Sequence, residues 1–150
     1  MHFLKLTALA LGSPIVLCAA IVTASPVLAA DAGALAGSWR TPAKHGVVEI
    51  ERCGGSICGK LVSSENILKN PELKDINNKD ASKRDRRLKG LQILGGFKQD
   101  GNAWSGGTIY NPEDGGTYKA TITPAGADTL KLKGCIVWPL CKTQTWTRIK

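Results

Sequence analysis

The chain has 150 residues, with 20 Lys and Arg against 12 Asp and Glu, a formal net charge of +8 and a hydrophobic fraction of 43%. That length holds one domain with one modest core and excludes a multidomain design. The positive balance invites a nucleic-acid partner, but the N-terminal segment argues against one.

From Met1 to about Ala30 the only charged residue is Lys5. A mainly apolar run follows from Leu6 to Leu28 and exits through Val27-Leu28-Ala29-Ala30-Asp31. A weakly basic start, an apolar middle and a small-residue exit describe a secretory signal peptide, with Val27 and Ala29 placing the cut after Ala29. Residues 1–29 would leave, and 30–150 would form a single domain. A membrane anchor is the competing reading, opposed by Pro14 and Pro26 within the run. A lipid-attachment site is disfavoured because Cys18 follows Leu17 and not a small residue. A periplasmic or secreted protein meets little nucleic acid. Anionic lipid, cell-wall polymer and small anions remain as partners, with solubility alone as the plain account of the charge.

Cleavage removes Lys5 and Cys18, so the charge falls from +8 to +7 and the five cysteines become Cys53, Cys58, Cys135 and Cys141. An even set in an oxidising compartment reads as two disulfides. Zinc is the rival account, but the spacing within each pair is wider than the two-residue gap of common zinc ribbons. No metal and no cofactor is expected.

In chain order the predicted strands are 37–41, 47–52, 58–63, 91–97, 103–110, 117–123, 129–134 and 143–149, where Thr, Val and Ile alternate with polar residues. Turns fall at Asp100-Gly101-Asn102, at 111–116 and at 124–128. One long connection, 64–90, interrupts the rhythm. It is expected to hold a helical turn starting at Asn70-Pro71 and another ending before Gly90. The fold class is all-β with little helix. An eight-stranded up-and-down antiparallel barrel hides both sheet edges, and a β-sandwich would use the same strands. Alternation turns Trp39, Val48, Ile50, Lys60, Val62, Leu91, Ile93, Phe97, Trp104, Tyr118, Ala120, Ile122, Leu130, Leu132 and Trp146 inward. Lys60 is the misfit in that set. The pairs Gly95-Gly96 and Gly106-Gly107 mark bulges or barrel corners.

Gly37-Ser38-Trp39 opening the first strand, with Arg148 closing the last, resembles the lipocalin signature, in which a first-strand Trp packs under an Arg of the final strand. A wider resemblance covers nearly the whole exported chain. GSWRT (37–41), EIERCGGSICGKLV (49–62), GLQILGGFK (90–98), WSGGTIYNPEDGGTY (104–118) and CKTQTWTR (141–148) are similar to the exported bacterial domain-of-unknown-function family 2147. The resemblance implies a lipocalin-like barrel in the periplasm or outside the cell. It supplies no activity and no catalytic residue.

In an up-and-down barrel the connections alternate between ends. The longer ones (42–46, 64–90, 111–116 and 136–140) gather at one rim, and the shorter ones at the other. Strand parity then favours two local staples, Cys53 with Cys58 and Cys135 with Cys141, over a cross-link between pairs. The stapled Ile-Val-Trp-Pro-Leu loop is a flap over the mouth, a plug of the barrel end, or a membrane contact. The rim also receives the basic run Lys83, Arg84, Arg86, Arg87 and Lys89, which suits a carboxylate or phosphate head group unless it is simply a solvated face.

The expected site is therefore a mouth lined by Trp39, Ile50, Ile93, Trp104, Tyr118, Ile122 and Trp138, with Arg84 and Arg87 outside. The leading reading is an exported, non-enzymatic protein binding a small amphiphilic or acidic ligand there. A different reading is a cell-envelope module with a filled core, binding anionic lipid, polymer or a partner protein through its basic rim. A hydrolase using His45 and a rim carboxylate ranks last, because no nucleophile–base–orienter set surrounds that histidine. Oligomeric state is not legible.

Overall fold

A computed structural model describes residues 32–150, so the predicted signal peptide lies outside the described residues. The alternating runs form β1 (Gly37–Arg40), β2 (Val47–Cys53), β3 (Ser56–Ser63), β4 (Leu91–Gly95), β5 (Lys98–Asp100), β6 (Ala103–Asn111), β7 (Gly116–Pro124), β8 (Thr129–Val137) and β9 (Leu140–Arg148). Every pairing is antiparallel, and neighbours in sequence pair in space except β4 and β5. Two further pairings, β1 with β9 and β4 with β6, close the sheet on itself. The result is an eight-stranded barrel, because β4 and β5 are one strand broken at Gly96-Phe97. Closure leaves no room for the sandwich alternative, since a closed sheet has no second layer.

The sequence-based elements need four corrections. Residues 98–100, expected in the connection after the fourth strand, pair with 103–105 as β5, so the turn expected at Asp100-Gly101-Asn102 shrinks to Gly101-Asn102. The β8–β9 hairpin runs to Val137 and Leu140, so most of the predicted 136–140 loop is strand and the turn is Trp138-Pro139. Asn70 does not open a helix. Its side chain accepts from the Glu72 N–H at 3.1 Å, an Asx turn. The helix lies just before it, α2 (Glu65–Lys69), capped by Ser64, whose hydroxyl accepts from the Ile67 N–H. The second helical turn is a 3₁₀ turn at Ala81–Lys83, capped by Asp80.

The fourth correction concerns register. On β3, Gly59 and Leu61 are buried, while Lys60 is exposed and pairs with Glu51 at 2.6 Å. The inward set on that strand is therefore one residue off the predicted one, which removes the Lys60 misfit and turns Val62 outward. A one-residue slip exchanges the two faces of a strand.

The core fills the bore. Trp39, Val48, Ile50, Leu94, Phe97, Trp104, Ala120, Ile122, Leu130, Leu132 and Trp146 are all buried and form one cluster. Helix α1 (Ala32–Leu35) closes the floor with buried Leu35, whose carbonyl accepts from Trp39 Nε1 at 2.8 Å. Arg148 locks this end. Its guanidinium lies 4.2 Å from the centroid of the Trp39 ring and donates to the Ala36 and Ala127 carbonyls at 2.7 and 3.0 Å. Both staples form as parity required, Cys53–Cys58 and Cys135–Cys141.

Packing leaves no slack at the broken strand. A methyl group on Gly107 would lie 2.4 Å from Cγ of the buried Phe97 ring. Gly107→Ala is therefore expected to cost about 1–3 kcal/mol through overpacking. Urea unfolding with an unchanged m-value checks it, and a neutral result would mean the ring has somewhere else to go.

Candidate functional site at the barrel rim

The residues expected to line a mouth divide into three groups. Trp39, Ile50, Ile93, Trp104 and Ile122 are buried in the core cluster. Their packing follows from the same alternation that predicted a lining: apolar side chains aimed into a narrow bore meet one another before they meet a ligand. Among the described residues, Trp104 Nε1 is the one buried side-chain donor without an acceptor. Tyr118 is half-buried, and its hydroxyl donates to Asp114 at 2.8 Å. Trp138 stands exposed at the tip of the β8–β9 hairpin. Arg84 donates from Nε to the Asn78 carbonyl at 2.8 Å, and Arg87 pairs with Glu72. Both belong to the scaffold of the 64–90 segment.

A cleft of about 400 Å³ opens elsewhere, between that segment and the β6–β7 wall. Lys79, Asp80, Lys83, Arg86, Gln92, Tyr110 and Thr117 face it, and Lys83 pairs with Asp80 at 3.0 Å. Tyr110 and Thr117 are partners in the β6–β7 register. By alternation they lie on the outer face of the barrel, so the long connection leans against the wall from outside.

The floor of the cleft is a buried polar network. Asp75 is 1% exposed. One of its oxygens accepts from the Tyr110 hydroxyl at 2.5 Å, and the other from Asn78 Nδ2 and Arg86 Nε, each at 2.9 Å. Asn78 also donates to the Tyr110 hydroxyl at 2.9 Å, and the Arg86 guanidinium lies 5.2 Å from the Tyr110 ring centroid. A buried carboxylate is tolerated because donors surround it. Burial pushes the Tyr110 phenol up, and its hydrogen bond to Asp75 adds to that. The network fixes Arg86 as a donor on the cleft wall. Asn77 ties the segment to the β6–β7 turn by donating to the Pro112 and Glu113 carbonyls at 3.1 and 3.2 Å. Gly115 permits that approach: a side chain there would lie 1.9 Å from the Asn77 carbonyl oxygen.

The basic run lies on the segment that borders the cleft, and Arg86, rather than Arg84 or Arg87, is the arginine that faces it. Asp75, Asn78 and Tyr110 were missed. A lone Asp in a long polar connection carries no local signal, and its partner Tyr110 is 35 residues away.

His45, named for the hydrolase reading, is exposed, and its Nδ1 lies 2.5 Å from Glu65 Oε1. That hydrogen bond draws the Glu65 carboxyl below its usual range. The contact accompanies positive φ at Lys44 and His45 (49° and 45°) in the β1–β2 loop. Ser64, beside Glu65, is committed to capping α2.

A closed eight-stranded meander, sealed by a first-strand Trp under a last-strand Arg, defines a lipocalin-like barrel. Residues 37–148 match the family described as uncharacterized protein conserved in bacteria (DUF2147), and the chain belongs to that family. A solved structure, titled as protein HP1028 from the human pathogen Helicobacter pylori and assigned to the lipocalin family, is similar to it. The TM-score is 0.68 at 25% identity, covering 77% of this chain and 83% of that one. No curated protein matches the chain. The two disulfides suit a compartment outside the reducing cytoplasm.

Two outcomes follow from the cleft. The Asp80 carboxyl is held down to about 2, from 3.8, first by the Ser82 hydroxyl, then by Lys83 and the Ser82 N–H. Because the folded value is the lower one, the stabilising contribution of Asp80 is complete above 3.8 and is lost as pH falls through about 2. An NMR titration of the Asp80 side-chain carboxyl carbon should show its midpoint near the lower value. A midpoint near 3.8 would mean the cap does not hold in solution. Tyr110→Phe removes one donor from buried Asp75 and should cost about 1–3 kcal/mol. Asp75→Ala, which leaves two buried donors, Asn78 Nδ2 and the Tyr110 hydroxyl, without their acceptor, should cost about 2–6 kcal/mol. Denaturant unfolding reads both, and equal costs would contradict a network centred on Asp75.

Proposed function

We propose that this lipocalin-like protein is an exported, non-catalytic binding protein that takes a small acidic ligand at the barrel rim. The observation that carries the reading is Arg86, held at the cleft wall by a buried carboxylate and stacked on Tyr110, with Lys79 and Lys83 beside it. A preorganised guanidinium flanked by ammonium groups recognises carboxylate or phosphate with little ordering cost. The volume of the cleft falls within the range of small-molecule sites. The lipocalin assignment of the similar Helicobacter pylori protein supports a binding role. Disulfides and the N-terminal apolar run support export to the periplasm or beyond.

The filled bore favours one further reading, an envelope module whose basic rim binds anionic polymer or a partner protein. Native mass spectrometry of protein purified from its own host separates the two. A co-purifying acidic molecule of low mass, at least about tenfold depleted in Lys79→Glu/Lys83→Glu, is expected. A molecule retained by that variant but lost in Leu132→Trp would place the ligand in the bore instead. Rim-dependent capture of polymer, with no small molecule, would favour the module. Against a hydrolytic role, any turnover found is expected to be unchanged in His45→Ala.

A further inference from the structure

We propose that the tip of the β8–β9 hairpin is a membrane-contact finger that seats on an anionic lipid bilayer. Among the described residues six large apolar side chains are exposed, and four of them, Ile136, Val137, Trp138 and Leu140, fall in this one turn at 60–79% exposure. The hairpin outruns its neighbours. Pairing of β8 with β7 ends at Lys119↔Cys135, and β9 meets β1 only at Trp39↔Arg148 and Arg40↔Thr147. The apolar tip therefore stands clear of the barrel wall. The Cys135–Cys141 bridge joins directly opposed residues at its base, so the tip is presented with little conformational freedom left to lose on docking.

An apolar tip alone would suit several partners, and charge selects among them. Strands β7, β8 and β9 contain no Asp or Glu. Exposed Lys119 and Lys133 flank the staple on one strand pair, and exposed Lys142 follows Cys141 on the other side. Apolar side chains led by a tryptophan, above a collar of lysines, match the chemistry of the bilayer boundary. The indole sits at headgroup level, aliphatic side chains enter below it, and ammonium groups reach anionic phosphates. The finger acts by surface insertion, and it is separate from the cleft at Arg86.

The chain reports on its own finger. Of its four tryptophans, Trp39, Trp104 and Trp146 are at most 3% exposed, while Trp138 is 79% exposed. Long-wavelength emission therefore comes from Trp138. The purified, disulfide-bonded protein is titrated with phosphatidylglycerol vesicles, with phosphatidylcholine vesicles, and with phosphatidylglycerol vesicles carrying bromine-labelled acyl chains. Anionic vesicles are expected to bind it, shift that emission to the blue, and quench it when brominated. Trp138→Ser/Leu140→Ser should weaken vesicle binding at least about tenfold, and Lys119→Ala, Lys133→Ala and Lys142→Ala about fivefold each. All of these variants should keep the wild-type unfolding midpoint, because the tip lies outside the core. Every variant is compared in the same chain, so any contribution of the N-terminal segment cancels. Unshifted emission with anionic vesicles, or equal vesicle binding by Trp138→Ser/Leu140→Ser, overturns the proposal. So does sedimentation showing a dimer that Trp138→Ser dissolves, which would assign the tip to a second copy of the chain.

Discussion

The barrel depends on one contact between its two ends. Strand β1 has four residues and meets β9 at two register positions, too few ladder bonds to hold a closed sheet by themselves. Arg148 supplies the rest. Its guanidinium covers Trp39 and donates to carbonyls from the α1–β1 junction and the β7–β8 turn. A planar cation with several fixed donors can stack on an indole and satisfy these acceptors together, which lysine cannot do. Gly37 makes room for it: φ there is +119°, and a side chain would come within 3.0 Å of the arginine. With the floor sealed in this way, Leu35 and the three buried tryptophans share one apolar core.

A bore filled with side chains has a consequence for function. Eight strands enclose a bore about as wide as the side chains that line it, and here Phe97 sits against Gly107 with no space between them. Specific chemistry is displaced to the rim, where long connections and solvated charge coexist. The 64–90 connection is anchored there through a buried carboxylate, a costly device unless every donor is placed. Tyr110, Asn78 and Arg86 meet that demand, and in doing so they hold a guanidinium still beside water.

The opposite arrangement holds at the β8–β9 tip. The barrel wall ends, the hairpin continues, and four apolar side chains stand in solvent above a staple. One rim thus carries a polar cleft and an apolar finger, with positive charge around both. That combination is the basis of the two binding roles proposed above.

Strand alternation, turn residues, cysteine spacing and the Trp39–Arg148 pair were enough to favour an all-β closed meander with two local staples over a sandwich of the same strands, because each is a short-range pattern or a parity argument. The leucines and lysines of 130–133 turned opposite ways as their spacing required. Register on β3 and the extent of the last hairpin were not legible: a bulge or a one-residue slip changes which face is buried, and cross-strand partners set it. The site was less legible still. Asp75 finds Tyr110 across 35 residues, and Arg86 differs from Arg84 and Arg87 only in what lies beside it after folding. Local sequence decided where most of the strands and turns fall, and cross-strand pairing set their ends. The closing of the sheet decided whether an inward apolar side chain lines a pocket or fills it, because that depends on the distance to the wall opposite.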